Sequence, residues 1–238
     1  MPTTATDAVE PFYWDQYRDT SIGRYLFQRE HAFIRRALGG ATRAWRLLDV
    51  GCGSGRLTLP LREAGHDVVG VDLSRSALAS FRRQSTTAPA VMGDARCLPF
   101  ADASFDGVIA IQSFDYIDHV RFLAECRRVL RGEGLLVFDA LNRRSYKWLL
   151  KRRVGRSLVL PSANMDCREV LRATAESGFE IEAVRGYNWL PFTRHSDSKM
   201  VGLAALAERV LGLDRHYRLS PKILVAARKG GRRASHLR

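Results

Sequence analysis

Leu47-Leu48-Asp49-Val50-Gly51-Cys52-Gly53-Ser54-Gly55 is the stretch whose reading decides the fold. A short apolar run enters three glycines, each separated by one residue. The run predicts a strand over Arg46–Val50, and the glycines let the backbone turn sharply and pass close to a ligand. A helix is expected next, carrying Leu57, Leu61 and Ala64 and stopped by Gly65. A loop of this kind serves nucleotide-like ligands in general. A dinucleotide fingerprint would place glycine at position 56, where Arg56 stands. The Gly-Lys-Ser/Thr ending of a phosphate-binding P-loop is absent.

Working outward, Val68-Val69-Gly70-Val71 is a second short apolar run, as expected for a strand covered on both faces. Ser74 is placed to cap a helix bearing Ala77, Leu78 and Phe81. Ala90–Met92 and Phe105–Ile111 are the third and fourth predicted strands. Asp118 can cap a helix whose apolar face is Leu123, Cys126 and Leu130, and Leu135–Phe138 is the fifth strand. Strict β-α alternation predicts an α/β fold with a parallel sheet and helices on both faces. The later third is less regular. It offers a helix over Cys167–Ser177, a strand over Phe179–Val184, a helix near Ser198–Leu211 and a last strand at Lys222–Ala227. The expected organisation is an aromatic leader and cap helix at 1–40, a main domain at 41–230 with a substrate-lid insertion at about 187–220, and a basic tail at 231–238.

Asp72 ends the second strand. A carboxylate there can accept both hydroxyls of a ribose, as in dinucleotide folds. Asp94 follows the third strand and can accept an adenine amine. LLDVGCGSG, VVGVDLS, GDARCLPFADASFDGVIA and CRRVLRGEGLLVFDA together resemble the successive motifs of class I S-adenosylmethionine-dependent methyltransferases, in the small-molecule, UbiE-like (methyltransferase type 11) group. The resemblance covers about Arg46 to Asn142. It implies a Rossmann-like three-layer sandwich with a seven-stranded, mostly parallel sheet whose last strand is antiparallel. It also implies a transferase with S-adenosylmethionine as cofactor. In that family's pattern Asp49, Gly51, Cys52, Gly53 and Gly55 surround the methionine part and Asp72 binds the ribose. Asp94 and Ala95 hold adenine with Leu73 and Cys97 near the ring, and Ile111 and Gln112 border the sulfonium.

Methyl transfer from a sulfonium is an in-line displacement, so alignment and a dry site carry much of the catalysis. A base is needed only when the acceptor must lose a proton. Asp115 stands near the place where many relatives have a histidine; His119 and Tyr13 are the other catalytic candidates. Asp139 and Asn142 end the fifth strand and are expected to face the pocket. Trp189, Arg194 and His195 in the insertion are candidate acceptor contacts, beside Tyr187, Phe192 and Leu203. The expected reaction is O-methylation of a small-molecule, glycan- or lipid-linked acceptor. C- or N-methylation of a quinone-type ring or amino sugar, RNA methylation, and a non-catalytic cofactor-binding module are the alternatives.

Composition bounds the rest. The chain has 238 residues and a net charge of +13, which favours anionic partners. Residues 143–156 carry Arg143, Arg144, Lys147, Lys151, Arg152, Arg153 and Arg156 interleaved with Tyr146, Trp148, Leu149, Leu150 and Val154, without one acid. That pattern fits either peripheral contact with an anionic membrane or a solvated face. Nucleic acid is disfavoured by the lack of an RNA-binding signature. The four cysteines form no C-x-x-C pair, so neither zinc nor a disulfide framework is expected, and a reducing cytoplasm fits.

Overall fold

Leu47 and Leu48 are both fully buried, yet they feed different halves of the core, as period-two alternation in a strand requires. Their strand, β1 (Arg46–Val50), sits mid-sheet between β2 (Asp67–Asp72) and β4 (Phe105–Ala110) and runs parallel to both. The structure, a computed structural model, describes residues 16–40, 43–148, 165–192 and 196–230. With β3 (Ala90–Met92), β5 (Leu130–Leu141), β6 (Phe179–Tyr187) and β7 (Lys222–Lys229), the sheet has seven strands in the order β3-β2-β1-β4-β5-β7-β6. Only β7 is antiparallel, to β5 on one side and β6 on the other. This is the Rossmann-like architecture that the motifs imply.

Helices cover both faces. On one lie α1 (Ser21–Ala37), α2 (Thr58–Glu63) and α6 (Met200–Val210), which bury Ile22, Leu26, Ile34, Leu61 and Val201 against Leu47, Ile109, Val137 and Leu224. On the other, α4 (His119–Val129) and α5 (Cys167–Glu176) bury Phe122, Cys126, Val129 and Val170 against Leu48, Val108, Phe138 and Val225. A smaller cluster lies under α3 (Arg75–Gln84), where Leu78 and Phe81 meet Cys52.

Helix starts follow from the capping side chains. Ser74 accepts from the Ala77 amide and Asp118 from the Arg121 amide. Asp166 and Glu169 form a reciprocal capping box on α5. The fifth strand is longer than its apolar run: Leu130 already pairs with Phe105, the register then shifts, and Glu133 turns with a positive φ of 57°. The Gly132-Glu133-Gly134 turn is therefore an irregularity inside β5. Connection 188–221, between β6 and β7, carries α6, which packs on α1. There the buried Glu208 accepts from the Tyr25 hydroxyl and pairs with Arg29 at 2.9 Å.

Candidate active site

The glycine loop leaves β1 and is tied down at once. The amides of Gly51 and Cys52 both donate to the Val71 carbonyl of β2, at 2.8 and 3.1 Å. Gly51 has φ +72°, and a Cβ there would lie 2.1 Å from the Ser113 hydroxyl. Only glycine fits a left-handed backbone packed this closely. Gly55 has φ +92° and abuts the Phe81 ring, so it serves the packing of α3 and does not line the cavity.

A cavity of about 680 Å³ opens over this loop, a size typical of sites for small ligands. Its floor is Asp49, Gly51, Cys52, Gly53 and Ser54. Asp72 and Leu73 enter from the end of β2, Asp94 and Ala95 from the turn after β3, and Ile111 and Gln112 from the end of β4. Tyr17 and Arg18, with Ile22 and Leu26 of α1, form the opposite wall. Of the cofactor-facing residues expected from sequence, all except Gly55 and Cys97 line this cavity; Cys97 is exposed.

The electrostatics are specific. Asp72 accepts from the Gly53 amide with one oxygen and from the Ser74 amide with the other, both at 2.8 Å. It thus locks the loop to the end of β2 and keeps lone pairs on each oxygen for further donors. Asp49 is buried and accepts from the Thr58 hydroxyl at 2.6 Å. Burial pushes its carboxyl up to about 6, against the opposing pull of the Thr58 hydrogen bond and Arg56. Asp94 is clamped by Arg96, at 2.6 Å between Nη2 and Oδ2; those hydrogen bonds hold its carboxyl below the usual range. An adenine amine at Asp94 would share that carboxylate with Arg96.

The catalytic and acceptor expectations fare differently. Asp115 is buried, accepts from the Leu141 amide at 2.9 Å and lies 3.9 Å from Lys222 Nζ. It does not line the cavity, and its hydrogen bond to Leu141 pins the end of β5. His119 also lies off the cavity, beside the Phe114 ring. So do Asp139 and Asn142. Asp139 is fully buried and receives the Gln112 amide, Lys222 Nζ at 2.6 Å and the Tyr187 hydroxyl at 2.5 Å. Asn142 is spent on backbone groups, donating to the carbonyls of Arg218 and Ser220 and accepting from the Cys167 amide. Trp189 stacks parallel to Tyr146 with 5.7 Å between ring centroids and does not reach the cavity. Among the described residues, none of the insertion expected to serve as a lid lines the cavity. Tyr13, Arg194 and His195 lie outside the described residues, as does 149–156 of the basic stretch. Within that stretch, Lys147 donates to the Asn188 carbonyl and Arg144 pairs with Asp166.

Glu30 was missed from sequence. Fully buried on α1, it pairs with Arg56 at 2.7 Å and accepts from the Gln112 side-chain amide at 2.9 Å. Gln112 is thereby held between Glu30 and Asp139 in a left-handed conformation, φ 60°, at the cavity edge. The available signal was an acid on the apolar stripe of α1, between Leu26 and Ile34.

Residues 48–138 match the model of a methyltransferase domain family. A Mycobacterium tuberculosis protein named "Probable S-adenosylmethionine-dependent methyltransferase" is 33% identical over 126 residues, 52% of this chain and 46% of that protein. A malonyl-[acyl-carrier protein] O-methyltransferase of Erwinia pyrifoliae is 35% identical over 120 residues, 49% of this chain and 46% of its own length. The chain thus spans about half the length of these curated relatives. In fold, it resembles the PH0226 protein of Pyrococcus horikoshii, with a TM-score of 0.66 at 20% identity over 92% of this chain and 95% of that one. Magnesium protoporphyrin IX methyltransferase from Synechocystis, solved with bound SAH, gives a TM-score of 0.65 at 12% identity over 91% and 93%. The matched segment supplies the glycine loop, Asp72, Asp94 and Gln112, and over it the chain is similar to S-adenosylmethionine-dependent methyltransferases.

Proposed function

We propose that this chain methylates an oxygen of an anionic small-molecule or carrier-linked acceptor with S-adenosylmethionine. The observation that carries the reading is the two-sided cavity. One wall is the glycine loop with Asp49, Asp72 and Asp94; the other joins apolar Ile22 and Leu26 to the cation of Arg18. When bound, S-adenosylmethionine supplies a methyl group already activated by its positive sulfur. Asp72 presents free lone pairs suited to the ribose hydroxyls, and Asp49 a buried carboxylate suited to an ammonium. Arg18 donates to Gln84 Oε1 at 2.6 Å and forms no ion pair with any described residue, so its charge is available to an anion at the cavity wall. An ionised carboxylate or phenolate attacks without giving up a proton, so positioning alone suffices. The similarity to an O-methyltransferase of malonyl-[acyl-carrier protein] supports oxygen as the acceptor atom.

The test is incubation with methyl-deuterated S-adenosylmethionine and a panel of carboxylic acids, phenols, amines and quinones, read by mass spectrometry. Methyl esters or ethers of the acidic compounds are expected. Replacing Arg18 by Gln should raise KM for such an acceptor about tenfold, one lost charge-assisted contact, with little change in kcat. Methylation confined to amines or ring carbons, unaffected by that substitution, would reject the acceptor class.

A further inference from the structure

The outer face of α6 is built the wrong way round for a helix that ends at water. Val201 and Glu208 are buried and Ala204 and Ala205 pack toward the core, so this side seats the helix. The opposite arc should then be charged. Instead it carries Met200, Leu203, Leu206 and Val210, with Leu211 and Leu219 just beyond, every one of them more than half exposed. These six side chains form a continuous class: aliphatic, flexible and without a hydrogen-bonding group.

The rim is predominantly cationic, with Asp197 the one exposed acid among residues 196–219. Lys199, Arg209, Arg215 and Arg218 are exposed and form no ion pair with any described residue. The acids of the same segment are engaged elsewhere. Asp197 holds the Ser21 amide, Glu208 pairs with Arg29, and Asp214 lies 3.4 Å from Arg185. An aliphatic stripe fringed by lysine and arginine is the pattern of a helix that lies in a lipid interface. A two-fold dimer through the stripe would set these cations against their own copies, which opposes self-association. A protein partner would be expected to meet aromatic anchors at the centre of the patch, and the stripe has none.

We infer that α6 and the turn after it, 199–219, form a docking surface for an anionic lipid bilayer, with the aliphatic arc entering the headgroup boundary and the four cations meeting lipid phosphates. No helix of the described residues is long and apolar enough to cross a membrane, so the contact is one of lying on the surface. The helix packs on α1, whose Ile22 and Leu26 wall the cavity, so docking places that wall on the lipid-facing half of the molecule. The surface does not depend on the acceptor proposed above.

Flotation of the full chain with vesicles tests it. Binding is expected to vesicles of phosphatidylglycerol and phosphatidylcholine, and not to phosphatidylcholine alone. The double substitution Leu203→Glu with Val210→Glu should lower the bound fraction about tenfold. Its thermal unfolding and its calorimetric binding of S-adenosylhomocysteine should match the parent, which separates this inference from the cofactor reading. Leu203→Ser is a milder variant should the charged pair not fold. Three results would overturn the inference: no flotation of the parent chain, flotation unchanged by either variant, or a parent dimer that the substitutions dissociate.

Discussion

Asp49 is a residue whose charge works against the fold that holds it. Below about pH 4 its carboxyl is protonated in both the folded and the unfolded chain and costs nothing. Between about 4 and 6 the unfolded chain releases the proton while the buried site keeps it, so stability falls as pH rises. Above about 6 the cost is constant, at most about 3 kcal/mol for a shift of this size. Asn at position 49 keeps an acceptor for Thr58 and removes the charge. Asp49→Asn should therefore be more stable than the parent by about 1–3 kcal/mol at pH 7.5 and equal to it at pH 4, measured by denaturant unfolding. An offset independent of pH would show that packing, not ionisation, sets the difference. At this scale the sequence was informative where backbone constrains chemistry: Gly51, Asp72 and Asp94 fall where strand ends must place them. It was uninformative for Asp115, Asp139 and Asn142. A strand end fixes a residue's position, but the side chain turns toward whichever buried amide or cation lacks a partner, and that partner comes from distant segments such as Lys222.

The five parallel strands and the helices among them were readable because each apolar run is short and each cap is local, as at Ser74 and Asp118. The seat of the connection 188–221 was not readable, because its buried side chains pack on α1 and the core, which come from distant segments. Its joint to α1 is polar at the centre. Burial raises the Glu208 carboxyl above its ordinary value, and the Tyr25 hydroxyl and Arg29 offset that cost. Tyr25→Phe leaves half of a buried carboxylate unsatisfied and should destabilise the chain by about 1–3 kcal/mol in denaturant unfolding. Adding Glu208→Leu should recover part of the loss, because the stranded charge is then gone. A double variant weaker than the single one would show that Glu208 has other partners worth more than Tyr25.

For the molecule as a whole, ligand binding and folding are one equilibrium, because the loop, β2 and β4 all contribute to a single cavity. S-adenosylhomocysteine at about one hundred times its Kd should add about 2.7 kcal/mol. In a chain this long that is a rise in Tm of roughly 5–10 °C. Asp72→Ala should abolish most of the shift at the same concentration, and a full shift in that variant would remove Asp72 from the ribose contact. The sheet order carries a consequence for biogenesis. Strand β7, late in the sequence, slots between two strands made earlier. Until Lys222–Lys229 leaves the ribosome, β5 and β6 each present an open hydrogen-bonding rim, the template on which nascent chains pair with the wrong neighbour. Translation halted shortly before Lys222 should yield a product that needs a chaperone to stay in solution, however complete its nucleotide pocket.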